Sequence, residues 1–309
     1  MLTGEPASQP SFSFLQDGIG KFCRSLGLKR QLLAHPVFSR PLRWLSLRNR
    51  IPASILSGIV LRETIRVELP TGESFRYAAQ TNEGIDMLLY WYGLRSWEIQ
   101  SVGVFSKLVR QAKGRVVDIG AHKGIYTLIS CAINPGIRVS SFEPVPETNQ
   151  EFLRNIALNS WEGRVDVRRV ALSNEPGHAQ FQIPEDATMA GLVSSGPAKA
   201  ACRTIDVEVV TGDDLISDPV DVIKMDVEGA EALVLQGMNR ILRESRPSVL
   251  FECLENEVGA AVERQFLDLG YQLFRIDHTG LRSVEHIIPA DAEERNFVAI
   301  HPSRNIELS

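Results

Sequence analysis

From residue 114 onward, unbroken apolar segments alternate with amphipathic ones along the chain. The apolar segments predict seven strands, at residues 115–119, 138–142, 165–172, 220–225, 248–253, 271–276 and 296–300. Helices are predicted between them, at residues 126–133, 147–159, 230–242 and 258–269. Strands that are apolar on both faces and alternate with helices are typical of a parallel sheet covered by helices on both sides. The sequence therefore predicts an α/β fold with a doubly wound, Rossmann-like sheet.

The first part of the chain follows a different pattern. A β-hairpin is predicted for residues 64–78, with its turn at residues 70–73, and helices are predicted at residues 86–92 and 100–111. Upstream, residues 14–60 predict short helices that are broken by Pro36, Pro41 and Pro52. We therefore divide the chain into an N-terminal helical extension (1–60), a lead-in with the hairpin (61–112) and the α/β domain (113–309).

An insertion separates the third predicted strand from the fourth. It spans residues 173–219 and contains strand-like segments at 179–183 and 206–211 around a loop rich in Gly, Ser and Ala at 190–201. A loop of this composition beside a ligand crevice is compatible with a lid, and equally with a flexible surface insertion. Both interpretations stay open from the sequence.

Charge divides the chain near the same boundary. The net charge of −5 argues against a nucleic-acid-binding protein that acts through a global positive field. Residues 18–60 nevertheless carry eight basic side chains and no acid, which leaves a net charge of −11 on residues 61–309. This basic arm has three candidate roles: docking on the acidic body, covering an acceptor, or contacting an anionic membrane surface. Its basic residues are Lys21, Arg24, Lys29, Arg30, Arg40, Arg43, Arg48 and Arg50.

Several classes of protein are disfavoured by composition. No apolar run approaches the roughly 20 residues that a membrane-spanning helix needs. The first residues lack the basic start and apolar core of a secretory signal, so a cytoplasmic location is expected. The four cysteines form neither a CxxC pair nor a cluster with zinc spacing, which disfavours a disulfide scaffold and a structural zinc site.

The first motif with chemical content follows the first strand of the α/β domain, at residues 116–124. Gly120 and Gly124 permit a tight turn and a close approach of the backbone to a ligand. His122 interrupts the dinucleotide fingerprint GxGxxG, and the carboxylate of Asp118 would repel a pyrophosphate. A ligand with a cationic end suits this loop better, and S-adenosylmethionine carries an ammonium and a sulfonium.

The second motif is Phe142-Glu143-Pro144, at the end of the second strand. Glu143 lies 23 residues beyond Gly120, where an acid is spaced to accept hydrogen bonds from ribose hydroxyls. Together the two motifs favour an adenosine-bearing ligand, and methionine-linked adenosine fits better than NAD.

The third motif, residues 223–231, ends the fourth strand and should face the same crevice. Lys224 lies within an apolar strand, where an unpaired charge is unfavourable, so Asp226 or Glu228 is its expected partner. A buried ion pair with first-turn acids at a helix start is the simpler alternative, and Glu231 fits that role best. The fifth strand ends in a similar way, with Glu252.

These motifs together resemble the FkbM family of S-adenosylmethionine-dependent methyltransferases. The resemblance covers residues 80–302 and rests on VDIGAxxGxYT, FEP and IKMDVEGAE in this order, supported by Ala171-Leu172-Ser173, Asp213-Asp214-Leu215 and Asn296-Phe297-Val298. It implies a class I methyltransferase sheet of seven strands with the last strand antiparallel. It also implies O-methylation of a hydroxyl on a sugar, a glycolipid or other lipid-linked acceptor, or a polyketide-type acceptor, and so a small-molecule or glycan partner.

The resemblance also implies roles for individual residues. The methionine end of the cofactor would be lined by Asp118, Gly120 and Ala121 and closed by Tyr126 and Thr127. Glu143 would hold the ribose, Ala171 and Ser173 would lie near adenine, and Asp226 would lie beneath the sulfonium. Gly124 and Pro144 are further expected cofactor-binding residues. His122 departs from the family, which most often has Asn there. A lone loop histidine is more often a surface residue than a base.

For catalysis we expect Asp226, Glu228 and Glu252 to converge near the transferred methyl group, with Lys224 holding their geometry. One carboxylate would act as base or orient the acceptor hydroxyl. The same acids are also suited to a divalent cation that lowers the pKa of the hydroxyl, and the sequence does not choose between these mechanisms.

Other interpretations stay open at this point. An NAD-dependent oxidoreductase on a similar sheet is one, and a non-catalytic module that binds an adenosine ligand is another. Trp91, Tyr92 and Trp97 precede the first strand of the domain and are suited either to stacking on an acceptor ring or to core packing.

Overall fold

A computed structural model describes residues 33–48, 51, 56, 59–80, 84–184, 191–192, 202–254, 256–288 and 295–306. In the N-terminal part, helix α1 (Pro36–Ser46) precedes a hairpin of two antiparallel strands, β1 (Arg62–Glu68) and β2 (Ser74–Gln80). Helix α2 (Gly84–Tyr92), a 3₁₀ turn (Leu94–Ser96) and helix α3 (Ile99–Gln111) lead into the α/β domain. The predicted hairpin and both lead-in helices are therefore confirmed.

The α/β domain continues with strands and helices in alternation. Its strands are β3 (Arg115–Ile119), β4 (Arg138–Phe142), β5 (Val165–Arg168), β6 (Ala171–Leu172), β7 (Gly177–Pro184), β8 (Gly191–Leu192), β9 (Cys202–Val210), β10 (Val220–Met225), β11 (Ser248–Glu252), β12 (Gln272–Asp277), β13 (Gly280–Val284) and β14 (Asn296–Ile300). Its helices are α4 (Ile125–Ile133), α5 (Pro146–Leu158), α6 (Gly212–Leu215), α7 (Glu231–Gln236), α8 (Asn239–Glu244) and α9 (Asn256–Asp268).

The main sheet has the strand order β13-β12-β14-β11-β10-β3-β4-β5. Strands β11, β10, β3, β4 and β5 are parallel, whereas β14 runs antiparallel to both of its neighbours, β11 and β12. Strands β4 and β5 are added to one side of β3, whereas β10 and β11 are added to its other side. The direction in which successive strands are added therefore reverses between β3 and β10. The doubly wound fold and the antiparallel last strand are confirmed, and the reversal marks the edge where a ligand crevice forms.

The sheet differs from the prediction in two places. An eighth strand, β13, pairs with β12 at the edge of the sheet. The predicted strand 165–172 is wrong as a unit, because β5 stays in the main sheet while β6 pairs with β9 in a separate four-stranded sheet. Strands β7 and β9 of the insertion pair antiparallel and extend beyond the segments predicted there. Most of the loop at 190–201 lies outside the described residues.

Two predicted helix boundaries also change. Residues 230–242 form two helices that separate at Gly237, whose carbonyl accepts a hydrogen bond from the Asp213 amide (2.9 Å) and where a Cβ atom would lie 1.9 Å from the Ser173 carbonyl oxygen. Pro41 does not break a helix as predicted but lies inside α1, and Pro36 occupies its first turn. Pro52 lies outside the described residues.

Two side-chain amides at the end of helix α5, on Asn155 and on Asn159 just after it, form hydrogen bonds with the outer edge of the hairpin. Asn159 accepts a hydrogen bond from the Arg76 amide (2.8 Å) and donates to the Arg76 carbonyl (2.8 Å), while Asn155 accepts from the Ala78 amide (2.9 Å). These bonds occupy backbone groups that a further strand would otherwise use.

One hydrophobic cluster joins the lead-in to a face of the main sheet. Trp91 and Phe105 are fully buried in it with Val116 and Leu250. The structure thus places Trp91 in the core, and Tyr92 donates its hydroxyl hydrogen bond to the Ile51 carbonyl (3.1 Å). None of the helices in the described part of the chain combines the length and apolarity needed to cross a bilayer.

Candidate active site

Two loops meet at the carboxyl edge of the main sheet, one after β3 and one after β10. The backbone amide of Asp226 donates to the Ile119 carbonyl at 3.0 Å. Gly120 has φ +71, and a Cβ atom there would lie 1.8 Å from the Asp226 carbonyl oxygen. Only glycine combines this left-handed backbone with so close an approach. Gly120 therefore sets the distance between the two loops.

A buried lysine lies at the centre of this edge. The Lys224 side chain is 2% exposed, and its ammonium lies 3.6 Å from Asp226 Oδ2 and 5.0 Å from the centre of the Tyr126 ring. Burial alone would lower the pKa of Lys224, but Asp226, Glu98, Glu252 and Asp118 outweigh that effect and raise it. The lysine is therefore a permanent cation surrounded by carboxylates. It cannot serve as the base.

Glu98 is a member of this cluster that the sequence prediction missed. Its carboxylate accepts the Tyr126 hydroxyl hydrogen bond at 2.7 Å, and burial raises its pKa. The Tyr126 ring also packs edge-on against Trp97, with ring centres 5.5 Å apart. In the sequence Glu98 precedes α3 and looks like an ordinary acid at a helix start, so nothing local distinguishes it.

Glu252 and Glu228 contribute carboxyl groups with elevated pKa values. Burial, followed by the charge of Asp226, raises the pKa of Glu252 to about 8. Burial, Asp226 and Glu231 raise that of Glu228 to about 7. Glu228 also has φ +51, a left-handed backbone that is unfavourable for a non-glycine residue by about 1 kcal/mol or more. Such groups gain or lose a proton near neutrality, as a general acid or base requires.

Asp118 fixes the start of α4. Its carboxylate accepts hydrogen bonds from the Thr127 amide (3.0 Å) and the Thr127 hydroxyl (2.6 Å), and that hydroxyl lies 2.8 Å from Ser141 Oγ. Burial raises the pKa of Asp118 to about 6. Gly124 precedes α4 with φ +82, and a Cβ atom there would lie 2.0 Å from the Phe152 ring.

Glu143 connects the loops that follow β3 and β4. One carboxylate oxygen accepts from the His122 amide (2.8 Å) and the other from the Val145 amide (2.9 Å), with Pro144 buried between. Burial raises the pKa of Glu143 to about 7. Each oxygen keeps a second lone pair that can accept a hydroxyl group.

His122 is half-buried rather than fully exposed. Its φ of 50 lies in the left-handed region, which asparagine adopts more readily than histidine and most other residues. Burial lowers the pKa of His122 to about 4, so its ring is neutral. Its Nε2 atom is buried and has no hydrogen-bond partner among the described residues.

A second buried lysine, Lys123, also escaped the sequence prediction. Its ammonium lies 3.0 Å from Asp86 Oδ2 and 2.8 Å from Glu151 Oε2. Asp86 also accepts hydrogen bonds from the Tyr77 hydroxyl and the Gln80 amide, both at 2.6 Å. These contacts tie the loop after β3 to the lead-in. In the sequence Lys123 is indistinguishable from a solvent-exposed loop lysine.

Ala171 and Ser173 lie near the second sheet. Ala171 packs with Val145 in a small apolar cluster, and the Ser173 amide donates to the Val210 carbonyl at 2.9 Å. Both are buried. Their described contacts are thus with the insertion, the chain after β4 and Gly237 rather than with the cluster around Lys224.

The donor set of the crevice fits a cationic adenosine cofactor. Carboxylates outnumber cations around Lys224, and Glu143 presents free lone pairs beside the loop after β3. Buried polar atoms without a partner among the described residues include His122 Nε2 and Asn296 Oδ1. In the same part of the chain no three His, Cys, Asp or Glu side chains are arranged to hold a metal ion.

Comparison with known proteins agrees with this geometry. The sequence profile of the Methyltransferase FkbM domain matches residues 118–273, which is half of the chain. Methyltransferase sdnD of Sordaria araneosa is 24% identical over 192 residues, covering 52% of this chain and 74% of that protein. The 31-O-demethyl-FK506 methyltransferase FkbM of Streptomyces tacrolimicus is 29% identical over 154 residues, covering 40% of this chain and 58% of its own length.

A third relative is the hexuronic acid methyltransferase AglP of Haloferax volcanii, 27% identical over 147 residues. The match covers 46% of this chain and 55% of AglP, so this chain spans little more than half of AglP and of the Streptomyces relative. The profile match includes the loops after β3, β4 and β10 and the end of β11, whereas Glu98 and Asp86 of the lead-in lie outside it. The chain belongs to the FkbM family of methyltransferases.

Proposed function

We propose that the protein is an S-adenosylmethionine-dependent O-methyltransferase that acts on a hydroxyl of a sugar, glycolipid or polyketide-type acceptor. The observation that carries the proposal is the cluster of carboxyl groups around Lys224, at the switch point of a methyltransferase sheet. The names of two relatives, which refer to a hexuronic acid and to 31-O-demethyl-FK506, support a hydroxyl acceptor of this kind.

We assign the cofactor to the crevice between the loops after β3 and β10. When bound, it supplies an electrophilic methyl group on a sulfonium. Asp118, Gly120 and Ala121 would shape the methionine end, and Glu143 would accept the ribose hydroxyls with its remaining lone pairs. The carboxyl groups around Lys224 can ionise when a cation enters the crevice, which favours a ligand with cationic groups.

The residues of the chain have distinct proposed roles in transfer. Glu252, with a pKa of about 8, is a stronger base than an ordinary carboxylate and accepts the proton of the acceptor hydroxyl. Asp226, whose side chain is 35% exposed, orients that hydroxyl from the crevice side. Lys224 keeps both carboxylates in place, and Glu228 adds a further ionisable carboxyl group to the wall of the crevice.

The test is a transfer assay with a labelled methyl donor against a panel of glycan, glycolipid and macrolactone alcohols. Asp226→Asn should reduce turnover by about 10²–10⁴-fold without unfolding, as checked by circular dichroism. Retained turnover in this variant would contradict the proposed role. Parallel reactions with and without EDTA test for a divalent metal, and calorimetry with S-adenosylmethionine and NAD tests the cofactor; binding of NAD alone would overturn the assignment.

A further inference from the structure

Helix α1 packs Leu42 against the core but directs several other large apolar side chains outward. Ser39 and Ser46 are completely buried, whereas Val37, Phe38 and Trp44 are 65%, 50% and 54% exposed. A helix that stabilises a domain by burial has the opposite arrangement, with apolar side chains inward. The outward apolar face of α1 therefore contributes little to the core.

Polar contacts hold α1 in this orientation. The Ser46 hydroxyl donates to the Trp91 carbonyl (2.6 Å), and Arg43 Nε donates to the Tyr90 carbonyl (2.8 Å). The Arg43 guanidinium also lies 5.3 Å from the centre of the Tyr90 ring. Anchored through its polar side at the end of α2, the helix is fixed with its apolar side outward.

Basic side chains accompany the exposed apolar ones. The Arg48 guanidinium lies 3.9 Å from the centre of the Trp44 ring, and Arg40 is exposed beside it. Between α1 and β1 lies a groove of about 420 Å³ whose lining includes Arg40, Arg43 and Arg66. Glu63 also lines this groove, and its carboxylate accepts the Tyr90 hydroxyl hydrogen bond at 3.1 Å. The surface thus combines aromatic and aliphatic groups with an excess of arginine.

We propose that α1 is an interfacial helix that docks the protein on a membrane surface rich in anionic lipids. Trp44, Phe38 and Val37 would enter the headgroup region, where amphipathic rings are favoured, while the guanidinium groups of Arg40 and Arg48 bind lipid phosphates. The charge of residues 18–60, which contain no acid, is complementary to such a surface. Of the three roles that the charge pattern left open, Arg43 and Ser46 dock α1 on the body, and the outward face of the same helix carries the proposed membrane role.

The docking helix is connected to the crevice by direct contacts. Helix α1 packs on α2, and Asp86 of α2 binds the ammonium of Lys123 in the loop after β3. Membrane docking would hold the crevice at a fixed place relative to the bilayer, which suits a lipid-linked acceptor. Docking itself does not require methyl transfer, so it can be measured independently of the proposed function.

The experiment is flotation of the full chain with phosphatidylcholine vesicles that contain or lack phosphatidylglycerol. The wild-type protein should bind only the phosphatidylglycerol vesicles, and added salt should weaken binding. A Val37→Ser, Trp44→Ser double variant and an Arg40→Glu, Arg48→Glu double variant should each lose about tenfold or more in the partition coefficient. Leu267→Ser, at a 50% exposed leucine on α9, is the matched control and should bind like the wild type.

Three results would overturn the proposal. One is the absence of wild-type binding to the phosphatidylglycerol vesicles, and another is equal binding by the wild type and both α1 variants. The third is a wild-type dimer, seen by light scattering, that the Val37→Ser, Trp44→Ser variant dissociates while vesicle binding is absent. That result would assign the face to a second copy of the chain. Circular dichroism confirms that each variant is folded.

Discussion

Two buried lysines stand at the same edge of the sheet and differ in how their charge is balanced. Lys123 has two carboxylate partners within 3.0 Å, and one of them, Asp86, is completely buried and accepts two further hydrogen bonds. Lys224 has no carboxylate oxygen closer than 3.6 Å among the described residues, yet it lies among several acids with elevated pKa values. The charge of the first lysine is balanced by close ion pairs, and the one with Asp86 holds the loop after β3 to the lead-in. The second lysine lies beside carboxyl groups whose pKa values are raised to about 7 and about 8.

The largest effect expected is on stability, at Lys123. Lys123→Met leaves Asp86 buried without its cation and should lower the free energy of unfolding by about 3–5 kcal/mol, measured by urea denaturation. Lys113→Met, at an exposed lysine, should stay within about 0.5 kcal/mol of the wild type. Adding Asp86→Asn to Lys123→Met should recover part of the loss. A loss below about 1 kcal/mol in the single variant would remove the distinction between the two lysines.

Lys224→Met should reduce stability less than Lys123→Met does, but it should reduce activity strongly. The carboxyl groups around it can take up protons when the cation is removed, so we expect a smaller loss of stability than for Lys123→Met. Turnover should fall by about 10²-fold, because the remaining carboxylates lose their fixed geometry. Initial rates and urea denaturation of both variants test this. Equal stability losses with full activity would contradict it.

Glu252→Gln should raise stability at high pH while it lowers turnover. Because the pKa of Glu252 is raised to about 8 in the folded protein, the native state binds more protons, and stability falls as pH rises from about 4.5 to about 8. The variant should therefore be more stable than the wild type by about 2–4 kcal/mol at pH 8, and similar at pH 4.5. Thermal unfolding across this range measures the difference. Its turnover should be at least about 10²-fold lower.

A different pH dependence would contradict that account. Glu143 and Glu228 also have raised pKa values, of about 7. The stability of the Glu252→Gln variant therefore still falls with rising pH, although less steeply than that of the wild type. Only the difference between the wild type and Glu252→Gln isolates the one carboxyl group. A constant difference across the pH range would show that Glu252 is not the titrating group.

The smallest effect concerns the backbone of the loop after β10. Glu228→Gly removes a side chain from a left-handed position and should stabilise the protein by about 1 kcal/mol in urea denaturation. Glu244→Gly, in helix α8, is the matched control and should destabilise it by about 1 kcal/mol. If both changes destabilise, the left-handed backbone at Glu228 is not strained.

The sequence predicts the central strands well because hydrophobic runs of this length report burial between two helical layers. It fails where the outcome depends on distant contacts. The split of residues 165–172 follows from the pairing of β6 with β9, and the break at Gly237 coincides with contacts to Ser173 and Asp213. None of these contacts has a local signal in the sequence. Strand β13 is short and half polar, so its periodicity is weak.

The site shows the same division. Asp118, Lys224 and Asp226 are identifiable because charged residues at the ends of apolar strands are unusual. Glu98 and Lys123 are not, because one looks like a helix-start acid and the other like a loop lysine. Only the packing of the lead-in against the sheet brings them into the crevice and its support. Residues whose partners come from a separate segment of the chain are therefore the ones that motifs overlook.

The amides of Asn155 and Asn159 have a consequence for the colloidal behaviour of the protein. They occupy the backbone groups of Arg76 and Ala78, which would otherwise present an open template for strand addition by another molecule. A two-stranded ribbon needs such support, because alone it is only marginally stable in water. The two amides thus prevent another molecule from pairing with the free edge of β2, and loss of both would favour aggregation through that strand.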